Sequence, residues 1–138
     1  FISAFGEHVI GEEVEAALKS TLAVYPAKVT EFTVAPMIQQ GEGKSYHEWF
    51  IEFETLPNNI NEFAQYLNDS LSNKNVYYQD LMKGNILLPL KIRVVQKNGF
   101  IDYMKLIGKL GGQNKVPRLS NDRNIANQLV QFVQPDNE

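Results

Sequence analysis

The 138-residue sequence contains no cysteine, which excludes disulfide scaffolds, thiol nucleophiles and zinc–thiolate sites. It has only two histidines, His8 and His47, which are too few for a histidine-rich cage, so we predict no metal site. No apolar run approaches the roughly 20 residues that a membrane-spanning helix needs, and no basic-then-apolar leader is present. Repeats and low-complexity linkers are also missing. These absences and the length favour a single globular domain with no membrane partner.

Charge is divided unevenly along the chain. The first 69 residues carry eleven acidic and three basic side chains, whereas the last 69 carry ten basic and five acidic ones. Five of the basic residues fall close together: Lys105, Lys109, Lys115, Arg118 and Arg123. This stretch either attracts a phosphate or carboxylate or consists of solvated surface charges. Residues 108–123 hold no aromatic side chain on which a base would stack, so nucleic-acid binding is not predicted.

Hydrophobic periodicity predicts an α+β domain. Strands are expected at 1–5, 28–35, 46–53 and 90–95, with a glycine turn at 41–43. Five helices are expected. The first runs from near Glu12 and stops at Pro26, the second follows an Asn59–Glu62 capping box, and the third spans 75–83. The fourth follows the Asn98-Gly99 turn, and the fifth follows a Ser120-Asn121 cap region. This order predicts a small mixed or antiparallel sheet of three to four strands with helices packed on its faces.

Several polar residues of the first half admit a catalytic or a structural interpretation. His47 shares a strand face with Trp49, which favours a packed structural histidine, whereas His8 lies in a glycine-bounded turn and is the better acid–base candidate. Glu48, Glu52 and Glu54 resemble the paired acids of glycosidases. Since no cleft for a sugar is predicted, we expect them to form a solvated strand face.

The strongest chemical signal is the glycine-rich stretch 108–115. It is not a P-loop, because no Lys-Ser or Lys-Thr pair follows the glycines. Lys115 lies between these glycines and Pro117, which predicts an exposed lysine on a loop of defined exit geometry. A lysine ammonium suits the stabilisation of charge on a phosphate or carboxylate oxygen. Arg118 and Arg123 could add forked donors as cofactor-binding residues for such an anion, and a clamp on loop carbonyls is an equal alternative for Arg118.

Two stretches give the chain a family resemblance. ISAFGEHVIGEEVE at positions 2–15 resembles the start of the C-terminal domain of adenylate-forming enzymes, where a glycine-containing hinge runs into an acidic helix. Together with GKLGGQNKVPRL at positions 108–119, it is similar to the auxin-responsive acyl acid–amido synthetases of the Gretchen Hagen family, in their bacterial branch. The similarity spans essentially the whole chain and is most specific at the Gln-x-Lys-x-Pro-Arg element.

The resemblance implies an ATP-dependent ligase in which a carboxylic acid becomes an acyl-adenylate and an amine or amino acid then displaces AMP. In this family a large N-terminal domain binds the acid and ATP, with Mg²⁺, and a small C-terminal lid rotates between the two half-reactions. By this resemblance Lys115 is the lysine that the lid delivers, and the hinge falls at Gly6, Glu7 and His8. The cofactor that Arg118 and Arg123 would contact is then the nucleotide. Plant members carry a different hinge sequence.

We therefore expect residues 1–138 to be a single C-terminal lid domain, cut from a larger cytoplasmic enzyme and inert alone. Its expected partner is its own N-terminal adenylation domain. The alternative is a free-standing, non-catalytic α+β module whose cationic loop binds a small anion.

Overall fold

A computed structural model describes residues 1–39, 44–109 and 115–135. Within these ranges the chain forms three strands, five α-helices and one 3₁₀ turn. Their bounds are α1 (Gly11–Val24), β1 (Lys28–Met37), β2 (Tyr46–Thr55), α2 (Ile60–Lys74), α3 (Val76–Lys83), β3 (Lys91–Val95), α4 (Gly99–Leu106), α5 (Asn124–Leu129) and the turn Val130–Phe132. The predicted α+β class is confirmed. The glycine turn predicted at 41–43 and residues 110–114 of the glycine-rich stretch lie outside the described residues.

The sheet is mixed and has β2 at its centre. β1 and β2 are antiparallel, with Val34 opposite Trp49, as the predicted hairpin requires. β2 and β3 are parallel, with Trp49 opposite Ile92. The 35 residues between these two strands are occupied by α2 and α3, which make the crossover that a parallel pair needs.

Helices cover both faces of the sheet. One face, which includes Phe32, Trp49 and Ile51, packs with buried residues of α1, α2 and α3. The opposite face, which includes Phe50 and Val95, packs with α4 and α5. Because successive residues of a strand point to opposite sides, Trp49 and Phe50 each become fully buried in a different layer. β2 is thus buried on both sides over most of its length.

Local signals explain most helix boundaries. α1 ends before Pro26, as predicted, because proline cannot donate the next helical hydrogen bond. The Asn59 side chain accepts a hydrogen bond from the Glu62 backbone N–H at 3.0 Å, which is one of the two bonds of the predicted capping box. The predicted Ser120-Asn121 cap of the last helix is wrong. Asp122 accepts the Asn124 N–H at 2.9 Å instead.

The predicted N-terminal strand is reduced to one pair of residues. Ile2 and Val9 exchange two backbone hydrogen bonds of 2.8 Å, and the intervening residues form a tight turn. Gly6 (φ 91°) and His8 (φ 44°) both adopt left-handed backbone conformations there. The Gly6 N–H donates to the Ser3 carbonyl at 3.1 Å, so the chain turns directly after Ile2 and no second pair forms. Ile2 and Val9 are completely buried, so this hairpin is part of the core.

Candidate functional site

The segment 115–120 is attached to β1, the strand that forms one edge of the sheet. Val34 N–H donates to the Arg118 carbonyl at 3.0 Å, and Ser120 N–H donates to the Val34 carbonyl at 2.9 Å. The Thr33 hydroxyl donates to the Pro117 carbonyl at 2.7 Å. Three hydrogen bonds therefore fix the backbone from residue 117 to residue 120 along the strand.

Buried side chains on the same segment add to this attachment. Val116 and Leu119 are both 7% exposed, Val116 in the layer of α4 and α5 and Leu119 in the layer of α1 and α2. The segment thus packs into both layers while its backbone pairs with the sheet edge.

Lys115 is the first residue of this segment, two positions before the hydrogen-bonded part, and it is exposed, as the sequence predicts. It makes no ion pair or hydrogen bond with any residue that the structure describes. Beside it lies an open pocket of about 220 Å³, lined by Tyr103, Met104, Ile107, Lys109, Lys115, Val116, Pro117 and Ile125. Lys115 and Lys109 are thus the two basic residues in the lining of a mainly apolar depression. The glycines and Gln113 of the predicted loop lie outside the described residues.

The Arg118 guanidinium has several partners within the domain. Its Nε donates to the Glu15 carboxylate of α1 at 3.1 Å, and its Nη1 pairs with the Glu31 carboxylate of β1. Nη1 also lies 3.5 Å from the Phe32 carbonyl, and the group stacks 4.7 Å from the centre of the Phe32 ring. The carbonyl-clamp alternative weighed for Arg118 is thus present only as one long contact among stronger ones.

Arg123 is likewise engaged internally. It donates to the Pro36 carbonyl at 3.1 Å, to Asn127 at 3.1 Å and to the Glu48 carboxylate at 3.0 Å. Its side chain is only 18% exposed. The predicted role of Arg118 and Arg123 as nucleotide contacts stays a prediction, and both would have to serve it while holding these partners.

The prediction of a solvated acidic face on β2 is wrong for two of its three glutamates. Glu48 is fully buried between Arg123 and Arg93, each at 3.0 Å. Glu52 is 4% exposed and accepts the N–H groups of Asn98 and Phe100, so it caps the positive end of α4. Only Glu54, near the end of the strand, is exposed. The alternation placed these acids on one face correctly but did not show that α4 and α5 cover it.

The structural role predicted for His47 is confirmed by its burial. Its Nε2 donates to the Glu7 carboxylate at 2.6 Å, and both side chains are fully buried. Burial by itself raises the pKa of Glu7, but the hydrogen bonds from His47 and from backbone N–H groups outweigh it and hold that pKa below its usual value. Tyr78 packs on the His47 ring at 5.1 Å, and burial, followed by the Glu7 charge, strongly raises the pKa of its hydroxyl.

The three predicted hinge residues fall in this same region. Gly6 and His8 have the two positive φ angles of the turn, and Glu7 between them points into the core against His47. The carbonyl of His8 accepts a hydrogen bond from the Asn75 side chain at 3.2 Å. Their predicted hinge role is compatible with a strained turn, although Glu7 itself is held in place.

Sequence reasoning missed the residues that hold the Lys115 segment. Thr33, Glu15 and Glu31 all contact it, but the two glutamates are 103 and 87 positions away from Arg118. No periodicity within one element connects such distant positions. The only signal was the excess of acid in the first half and of base in the second.

The described ranges, 1–39, 44–109 and 115–135, show neither a metal cluster nor a membrane span. In those ranges no three histidine or carboxylate side chains lie close enough together to hold a metal ion. The helices found there are all too short or too polar to cross a bilayer.

Comparison with known proteins identifies relatives. The model of the GH3 family C-terminal domain matches residues 12–124. A solved structure of GH3.15 acyl acid amido synthetase is similar with a TM-score of 0.67 and 19% identity, over 90% of this chain and 24% of that one. The structure of AtGH3.15 acyl acid amido synthetase in complex with 2,4-DB gives 0.66 and 17% with the same coverage. No curated protein sequence matches significantly. The chain therefore spans about a quarter of the length of these solved relatives.

Proposed function

This chain belongs to the GH3 family, as its C-terminal domain, and from that premise we propose that it is the lid of an ATP-dependent acyl acid–amido synthetase. Its task is to bring Lys115 to an adenylation site on a separate N-terminal domain. There a carboxylic acid attacks the α-phosphate of ATP, releasing pyrophosphate and giving an acyl-adenylate. An amine, such as that of an amino acid, then displaces AMP and forms the amide.

The observation that carries this proposal is the combination of exposure and anchorage at Lys115. A lysine that serves a site on another domain must reach solvent, and it must do so from a backbone of fixed position. Lys115 is exposed, and three hydrogen bonds hold the residues that follow it against β1. A lysine at the end of a loose tail would satisfy only the first requirement.

The chemical role of the ammonium group is electrostatic. Negative charge accumulates where the carboxylate oxygen meets the α-phosphate, and a positioned cation stabilises that charge more in the transition state than in the ground state. One such contact is worth about 3–4 kcal/mol, or roughly a factor of 10²–10³ in rate. ATP and its Mg²⁺ are held by the N-terminal domain in this proposal. Since the reaction consumes ATP, we place the enzyme in the cytoplasm. Membership of the bacterial branch stays a prediction from the sequence.

The test is acid-dependent exchange of pyrophosphate into ATP by the full-length protein. Lys115→Ala is expected to lower the exchange rate by about 10²–10³-fold because the transition-state contact is lost. Lys105→Ala removes another exposed lysine, in α4, and serves as the control, with exchange expected within about twofold of wild type. Unchanged exchange in Lys115→Ala would remove this residue from the mechanism.

The isolated chain provides a second readout. It is expected to form no amide from acid, amine and ATP, because the proposal assigns the binding of acid and nucleotide to another domain. Turnover by residues 1–138 alone would refute the lid assignment.

The alternative of an anion-binding module draws on one observation, namely that Lys109 and Lys115 line the same pocket. Two results together would favour that alternative: the isolated chain binds phosphate saturably in a way that depends on Lys115, and Lys115→Ala leaves the pyrophosphate exchange rate of the full-length protein unchanged.

A further inference from the structure

Arg118 lies three residues after Lys115, and two of its three guanidinium nitrogens, Nε and Nη1, are bonded within the domain. Nε is bonded to Glu15, and Nη1 to Glu31 and the Phe32 carbonyl. One face of the guanidinium is covered by the Phe32 ring. The two carboxylates together carry one more charge than the guanidinium, so this cluster leaves no excess positive charge to attract an anion.

We propose that Arg118 is a positioning residue that acts through Lys115 and is not itself a nucleotide ligand. This inference rests on the proposed function and makes it more specific. Arg118 joins α1 and β1 to the segment that carries Lys115, and it thereby fixes the point from which Lys115 extends.

The backbone between Lys115 and Arg118 has little conformational freedom. Pro117 fixes its own φ and restricts Val116 before it to extended conformations. Val116 is also 7% exposed in the layer beneath. At about 3.3 Å per extended residue, Lys115 lies within roughly 10 Å of the Arg118 backbone. If the contacts of Arg118 are lost and its backbone shifts, the backbone of Lys115 is therefore expected to shift by nearly the same distance.

The anchor has a second, uncharged component that separates position from charge. The Thr33 hydroxyl, 2% exposed at the residue level, holds the Pro117 carbonyl at 2.7 Å. Thr33→Val removes this hydrogen bond with little change of shape and no change of charge. If position is what matters, Thr33→Val and Arg118→Ala affect catalysis in the same way, although only one of them alters the electrostatic potential.

The first experiment is a double-mutant cycle on pyrophosphate exchange in the full-length protein. Arg118→Ala is expected to lower kcat on the order of 10- to 100-fold, the size of effect that a displaced catalytic group produces, with KM for ATP unchanged. In the Lys115→Ala background the same substitution is expected to cause no further loss. Arg118→Lys retains one ion pair and is expected to recover part of kcat. Thr33→Val lowers kcat by a smaller factor, again without a change in KM.

The contrary outcomes are equally defined. A raised KM for ATP in Arg118→Ala, or losses that multiply with those of Lys115→Ala, would mean that Arg118 contacts the nucleotide directly, and the inference would be wrong. If Arg118→Ala does not fold, Glu31→Gln and Thr33→Val replace it in the same cycle, since they weaken the same anchor from the other side.

A second experiment does not depend on catalysis. Amide hydrogen exchange on the chain is expected to accelerate at least tenfold at Ser120 in Arg118→Ala, because the bond from Ser120 to Val34 opens more often. Unchanged protection at Ser120 would overturn the positioning role even if Lys115 proves essential. Conversely, accelerated exchange together with an active Lys115→Ala enzyme would refute the proposed function while the anchor itself stands. The two failures are thus distinguishable.

Discussion

Glu48 offers the sharpest test of the internal electrostatics, through the substitution Glu48→Gln. The carboxylate is fully buried, and it bridges Arg93 of β3 and Arg123 before α5, whose side chains are 29% and 18% exposed. Glutamine keeps the shape, so no cavity forms, but two guanidinium groups lose their counter-charge. Removing one partner of a fully buried pair costs about 3–5 kcal/mol. Because both arginines retain some contact with water, we expect a loss of about 2–4 kcal/mol.

This loss converts into a measurable shift of the melting temperature. An unfolding entropy of about 2.1 cal/mol/K per residue gives roughly 0.29 kcal/mol/K for 138 residues, so Tm should fall by about 7–14 °C. Thermal melts followed by circular dichroism provide Tm, and urea titration provides the free energy without adding salt. Urea is preferred because guanidinium chloride would screen the charges being tested.

The matched control is Glu54→Gln on the same strand. Glu54 is 58% exposed and pairs with Lys28, which is 72% exposed, so little stability should be lost. Equal Tm values for the two variants would refute the reasoning, since it attributes the cost at Glu48 to burial alone. A Glu48→Gln protein that melts within 2 °C of wild type would likewise show that the bridge contributes nothing.

Two further predictions concern the N-terminal turn and α4. The folded state lowers the pKa of Glu7 from 4.5, so the stability that its charge contributes is complete above about pH 4.5 and is lost as the pH falls through the lower folded pKa. Between pH 7 and pH 3 the urea midpoint of unfolding should therefore decline less steeply in Glu7→Gln than in wild type. Parallel curves for the two proteins would contradict this. Gly99→Ala places a Cβ in overlap with Val95 Cγ1 and 3.3 Å from Phe132 Cβ, a strain of about 1–3 kcal/mol against a helix-propensity gain of at most about 1. The variant should therefore be destabilised, and its cost should shrink in the Val95→Ala background, whereas additive losses would argue against the overlap.

Much of the fold could be predicted because its signals are local. The stop of α1 at Pro26, the cap at Asn59 and the alternation of β1 and β2 each depend on residues within one element. Burial of His47 followed from its place beside Trp49 on one strand face. Such features are read from spacing alone, since helices and strands have fixed periods.

Apart from the cap of the last helix and the shortened N-terminal strand, the errors arise where distant elements meet. Alternation placed Glu48 and Glu52 on one face of β2, but their burial depends on α4, which begins 47 positions after Glu52, and on Arg123 beyond it. Phe50 between them was the available hint that this face is covered. The same holds for the candidate site. Composition and resemblance identified Lys115, whereas the contacts of Arg118 with Glu15 and Glu31 exist only after α1 and β1 have packed.

The last part of the chain also contacts both edge strands of the sheet. Leu119 pairs with Val34 on the outer side of β1, and Val133 pairs with Val95 on the outer side of β3. A strand with bare backbone donors and acceptors invites a second molecule to add to it and begin an aggregate. Residues 115–135 therefore occupy one position on each outer strand, so the stretch that carries the exposed lysine also shortens the run of unpaired backbone on both edges of the sheet.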